Sequence, residues 1–160
     1  MKRLNKLLIV FLIILSSLFI YAVNAKKVKR NRNLSGRKIT DLSKFNFKEG
    51  LEILDLGSNR ISDLSTLVLP STLKELYLDN NPISDLSQLN LNQGLETLFF
   101  NRNEISDVST LTLPSSLISL TLDSNAITSI DNLILNNSIE ELSIARNNIS
   151  DLSNVTFPPS

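Results

Sequence analysis

The chain contains no cysteine and no histidine, and these two absences remove more chemistry than any other feature of its composition. Without them there is no disulfide, thiolate nucleophile, Cys/His zinc site or histidine-based catalytic triad. An enzyme made from this sequence would have to rely on paired carboxylates such as Glu75 and Asp79, and nothing in the pattern encloses a pocket around them. The lack of cysteine leaves the compartment undecided, because stacked repeats can supply a core without disulfides. Long charged or low-complexity tracts are also missing, so 160 residues at 42% hydrophobic suit one folded domain rather than disorder.

Positive charge is scarce over most of the length. Residues 26–50 carry nine Lys/Arg against two Asp/Glu, whereas residues 51–160 carry four against fourteen. Phosphate binding needs a basic face, so the acidic stretch argues against nucleic acid as a partner.

What is abundant is repetition. Residues 73–94, LKELYLDNNPISDLSQLNLNQG, have the skeleton L-x-x-L-x-L-x-x-N-x-I-x-x-L, which returns every 22 residues. Five complete copies begin at Leu51, Leu73, Leu95, Leu117 and Ile139 and fill residues 51–160 without insertion or deletion. A partial copy occupies residues 34–50: Ile39, Leu42, Phe45 and Phe47 precede Ile61, Leu64, Leu67 and Leu69 by 22 positions, and Arg37 stands where later copies have Asn. This unit is expected to close the N-terminal end of the stack. Pro70, Pro114 and Pro158 alternate with Glu49-Gly50, Gln93-Gly94 and Asn137-Ser138, which predicts two alternating turn types and a duplicated pair of repeats.

Each copy reads as one short strand followed by a crossover. Leu76 and Leu78 alternate with Glu75, Tyr77 and Asp79, the period of a strand with one face buried. Crossovers of equal length in one direction make the strands parallel. Asn59, Asn81, Asn103, Asn125 and Asn147 form a structural column, each able to donate to and accept from backbone groups that would otherwise be buried unpaired. The Ser-Asp-Leu-Ser stretch, or a near relative of it, after each Ile suits the N-cap of a single helical or 3₁₀ turn. Asp63, Asp85, Asp107 and Asp151 are read as caps, since calcium needs several oxygens converging on one point. Neither a metal nor a cofactor is expected.

With these residues in place, the chain resembles leucine-rich repeat proteins of the short 22-residue class, similar to the repeats of bacterial internalins and of a eukaryotic phosphatase regulator. The resemblance covers residues 34–160. It implies an α/β-type repeat solenoid, right-handed and curved, with a parallel β-sheet on the concave face and short 3₁₀ or turn segments on the convex face, normally used to bind another protein. The endings Leu113-Pro114-Ser115-Ser116 depart from internalins, and no closing structure follows the last repeat. Val155 and Phe157 would then face no further rung. That predicts homo-association through the C-terminal rung, or a chain truncated after Ser160 that forms the sensing part of a larger receptor such as a receptor-like kinase.

Residues 1–25 combine Lys2, Arg3 and Lys6 with an apolar run over residues 7–23, and Val23 and Ala25 fit a signal-peptidase site. Cleavage after Ala25 and a secreted or surface-displayed protein are expected; an uncleaved membrane anchor over 7–23 is the alternative. Residues 26–33 read as a basic linker. The sequons at Asn33, Asn136, Asn148 and Asn154 would accept glycans in a eukaryotic secretory pathway.

The repeated Leu, Ile and Asn positions carry no specificity, so a partner must be read by the outward strand positions, where the copies differ. These are Ile53, Glu75, Thr97, Ser119 and Glu141 in a first column, Asp55, Tyr77, Phe99, Thr121 and Ser143 in a second, and Gly57, Asp79, Asn101, Asp123 and Ala145 in a third. Tyr77 and Phe99 should lie side by side as aromatic anchors, with Arg102 and Arg146 beyond the strands supplying directional bonds. The expectation is a non-catalytic scaffold that binds a protein through Glu75, Tyr77, Asp79, Thr97, Phe99, Asn101, Arg102, Thr121, Asp123, Glu141 and Arg146.

Overall fold

The computed structural model describes residues 30–158. Residues 1–25, with the expected cleavage site and the alternative anchor, lie outside the described residues, as does the start of the basic linker. Six parallel strands form one sheet in chain order: β1 Asn31–Asn33, β2 Ile53–Asp55, β3 Glu75–Tyr77, β4 Thr97–Phe99, β5 Ser119–Thr121 and β6 Glu141–Ser143. Every pair is in a register of 22 residues, as in Ile53 opposite Glu75 and Leu54 opposite Leu76. This is a parallel repeat solenoid, each rung displaced from the last by one strand spacing.

The alternation within each strand explains the core. Leu54, Leu76, Leu98 and Leu120 point inward from the strand centres, followed by Leu56, Leu78, Phe100 and Leu122, and all are fully buried. Ile61, Ile83, Ile105 and Ile127 close each rung from the opposite side, also without exposure. Burial loosens toward the last rung, where Leu142, Ile144 and Ile149 are half-buried and Phe157 is exposed.

Two features differ from the sequence expectation. Asn31–Asn33, assigned there to the linker, pair with Ile53–Asp55, so the sheet begins before Leu34. Apolar periodicity could not reveal this strand, because its inward position is Arg32. On the convex side, the anticipated helical or 3₁₀ segment is a single turn, closed by bonds such as Leu67 N–H to Leu64 O and Leu89 N–H to Leu86 O. Leu64 and Leu67 both enter the core at the ends of that turn, which leaves no room to wind it further. The turns before the strands share one closing bond whether they carry Pro or Gly, as in Leu73 N–H to Pro70 O and Leu95 N–H to Asn92 O. Among them only the first has a left-handed residue, Gly50 at φ 90. The alternation of sequence therefore does not become an alternation of turn type.

Asparagine carries the polar work of the interior. Asn81 Nδ2 donates to Leu56 O at 3.1 Å and to Leu78 O at 3.1 Å, while its Oδ1 accepts from Ile61 N–H at 3.0 Å. Asn59, Asn103, Asn125 and Asn147 repeat the pattern one rung apart. Each links its own turn to the rung before it, so groups that the narrow turn leaves unpaired are satisfied across rungs. The Asp column works locally: Asp63 Oδ1 accepts from Ser65 N–H at 2.8 Å, and Asp41, Asp85, Asp107 and Asp151 do the same with the serine two residues on. In the rung that lacks this Asp, Ser129 Oγ accepts from Asp131 N–H. Among the described residues no group of three or more Asp or Glu side chains converges to hold a metal ion.

Candidate functional site

Strand pairing at 22-residue intervals brings Tyr77 directly beside Phe99. Their rings stack with centroids 4.8 Å apart and planes 14° from parallel. Both rings are half-buried, each covering one face of the other. The Tyr77 hydroxyl donates to Glu75 Oε2 at 2.7 Å, so Glu75 and Tyr77 form one unit on β3. Burial, the bond to Glu75 and the charges of Glu75, Asp55 and Asp79 push the Tyr77 phenol up to about 12.

The third column is a ladder as well as a surface. Asp79 Oδ1 accepts from Asn101 N–H at 2.7 Å, Asn101 Oδ1 from Asp123 N–H at 2.8 Å, and Asp123 Oδ1 from Ala145 N–H at 2.7 Å. Each side chain satisfies the backbone of the following rung, and Asp123 Oδ1 also accepts from Ser143 Oγ at 2.6 Å. The Asp79 carboxyl is held above its ordinary value by burial, a push that the Asn101 bond opposes and the Asp55 charge reinforces. The sequence marks these residues only as outward-facing; a run of three side-chain acceptors at one position of successive repeats was the available sign of the ladder.

Arg102 and Arg146 stand at the strand exits in the left-handed region, at φ 56 and φ 57. Ser58, Asn80 and Ser124 share that conformation at the same point of their rungs. The backbone there serves the stack, since Arg102 N–H donates to Asp123 O at 2.8 Å and Ser124 N–H to Ala145 O at 2.8 Å. Asp79, Asn101, Asp123, Arg102 and Arg146 together line one shallow groove along the sheet edge. A groove with two guanidinium groups and two carboxylates can pair with either charge.

The remaining expected residues are less equal than the sequence implies. Thr97 is half-buried, and Glu141 is exposed and accepts from Ser119 Oγ at 2.8 Å. Thr121 is only 6% exposed and its hydroxyl has no hydrogen-bond partner among the described residues, so it offers little surface to another molecule. Of the sequons, Asn148 and Asn154 are exposed, whereas Asn136 donates to Pro114 O and Asn33 to Asp55 Oδ2, bonds that a glycan on either amide would disturb.

Comparison with known proteins agrees with this geometry. The family described as Leucine Rich repeats (2 copies) matches residues 49–91. Among solved structures, an internalin (inlF) from Listeria monocytogenes str. 4b F2365 is similar at 30% identity and a TM-score of 0.57, over 74% of this chain. The chain spans about a third of the internalin chain it matches, 35% of its length. No curated protein matches the sequence.

Proposed function

The chain is a leucine-rich repeat protein, and from that premise we propose that it is a non-catalytic scaffold, secreted or displayed at a surface, that binds another protein on its sheet face. The stacked pair Tyr77 and Phe99 carries this reading. Large rigid rings held at the middle of an open sheet lose little entropy on binding and are the usual anchors of protein interfaces. Around them the face varies from rung to rung while the inward positions do not, which is where selectivity can reside.

Secretion rests on Lys2, Arg3 and Lys6 ahead of the apolar run and on Val23 and Ala25 at its end. N-terminal sequencing of exported protein should begin at Lys26; a chain beginning at Met1 and held in the membrane fraction would point to an anchor. Within a larger receptor the same face would serve as the sensing surface, and the gene sequence beyond Ser160 separates these arrangements.

The binding reading is tested by affinity capture with the intact chain and with a Tyr77→Ala/Phe99→Ala variant whose melting and circular dichroism match the parent. Loss of the captured protein in the variant supports the face. Capture that survives both substitutions places binding elsewhere.

A further inference from the structure

The surroundings of Tyr77 indicate which chemistry the partner brings. Tyr77 lies between Asp55 and Phe99 in its column, so the ring has Phe99 stacked on one side and the neighbouring position on its other side is held by Asp55. Glu75 holds the hydroxyl end of the same ring, and Asp79 follows on the same face two residues along the chain. Gly57 adds no side chain to the third-column position beside Asp79, and a Cβ there would lie 3.1 Å from Asp55 Oδ1.

Among the described residues these three carboxylates have no cationic partner. Among the described residues the ion pairs join Arg30 to Glu52, Lys44 to Asp41 and Lys74 to Glu96, and none reaches Asp55, Glu75 or Asp79. Arg102 lines the groove that includes Asp79 but makes no ion pair with it. The Asp55 carboxylate is nonetheless fixed in place: Oδ1 accepts from Gly57 N–H at 2.9 Å and Oδ2 from Asn33 Nδ2 at 3.0 Å. A fixed, unpaired acid beside a π face presents negative potential from two sources at once.

A planar cation fits that combination better than a compact one. A guanidinium stacks flat on an aromatic ring while its edge bonds a carboxylate, whereas an ammonium is a hydrated point charge. A metal ion fits poorly, because the oxygens do not converge and Glu75 is already bound to the phenol. We propose that this part of the sheet face docks an arginine side chain of the partner protein, stacked on the free face of Tyr77 and paired with Asp55, with Asp79 and Glu75 adding charge. This deepens the protein-binding reading and rests on it.

The test titrates the intact, isotope-labelled chain with N-acetylarginine amide and with its neutral isostere N-acetylcitrulline amide, read by nuclear magnetic resonance. Saturable shifts at the amides of Asp55, Tyr77 and Asp79 are expected with the arginine compound, and binding of the citrulline compound about tenfold weaker. Asp55→Asn combined with Asp79→Asn should weaken the arginine compound several-fold. Both amides keep an acceptor for the Gly57 and Asn101 N–H groups, as Asn101 itself does for Asp123; Asp55→Asn gives up the exposed bond from Asn33 Nδ2, so the variant is used once its melting and circular dichroism match the parent. Tyr77→Leu, which keeps apolar bulk and removes the π face, should weaken it similarly. Equal binding of the two compounds, indifference to these substitutions or the absence of saturable shifts would overturn the arginine assignment. Should that occur while capture of the partner still depends on Tyr77 and Phe99, the protein-binding face stands without the cation. Failure of both experiments removes both readings.

Discussion

The guanidinium of Arg32 sits over the ring of Phe47, 5.2 Å from its centroid, and 5.6 Å from that of Phe45. The two rings stack on each other at 5.9 Å. Arg32 stands opposite Leu54 in the sheet, at an inward position that every later rung fills with leucine. At the end of the stack one side of that position faces water, and an arginine covers apolar rings with its stem and planar head while remaining solvated. Arg32→Ala should therefore lower stability by about 0.5–2 kcal/mol in urea unfolding, and Arg32→Lys should recover only part of it. A neutral alanine substitution would mean that the first rung adds nothing to the stack.

The asparagine column predicts a gradient along the chain. Asn81→Ala leaves the Ile61 N–H without an acceptor in a buried turn and takes one of two amide donors from each of the Leu56 and Leu78 carbonyls, which keep Asn59 and Asn103, at a cost of roughly 1–3 kcal/mol. Asn147 makes the same bonds to Ile127, Leu122 and Ile144, but in a half-buried rung where water can replace them. Asn147→Ala should cost distinctly less in the same unfolding experiment. Equal losses at both sites would show that cross-rung bonding, rather than burial, sets the value.

Much of this was legible because one rung determines the next. A fixed 22-residue displacement converts sequence position into sheet position, so the inward leucines, the asparagine column and the Tyr77–Phe99 contact could all be read by addition. Arg32 escaped because a single terminal rung has no neighbour to reveal its register, and a charge at an inward position hides the strand. The ladder of Asp79, Asn101 and Asp123 escaped for a different reason. A short polar side chain on a sheet face can bond the next rung or a partner, and the pattern of types does not distinguish the two.

The aspartates of the convex turns should make the protein acid-sensitive. Bonds from the serine two residues on hold Asp41, Asp63, Asp85, Asp107 and Asp151 below the usual 3.8, and Ser71 N–H holds Glu49 below 4.5. In that range the unfolded chain binds protons more readily than the folded one. Their stabilisation is thus present above about pH 4 and is lost as pH falls through the lowered folded values. Asp79, held high by burial, has the opposite sign and offsets part of the loss. Thermal melting at pH 7 and at about pH 3 should separate clearly. Asp63→Asn with Asp85→Asn and Asp107→Asn should narrow the gap, since the amide still accepts the turn bond but cannot titrate.

Tyr77 supplies an alkaline counterpart that reports directly on the binding face. The chain has two tyrosines, Tyr21 and Tyr77, so the absorbance difference between the parent and Tyr77→Phe isolates the second. Its ionisation midpoint should lie at about 12 in the folded protein and return toward 10.0 in urea. The folded state then holds the phenolic proton more tightly than the unfolded chain, so this contribution is complete below pH 10 and declines as pH rises toward 12. Glu75→Gln keeps an acceptor for the hydroxyl but removes the nearest negative charge, and should lower the folded midpoint without erasing the shift, because burial is its largest cause. A folded midpoint near 10 in the parent would mean that Tyr77 is neither stacked on Phe99 nor bonded to Glu75, and would remove the ring from the centre of the proposed binding face.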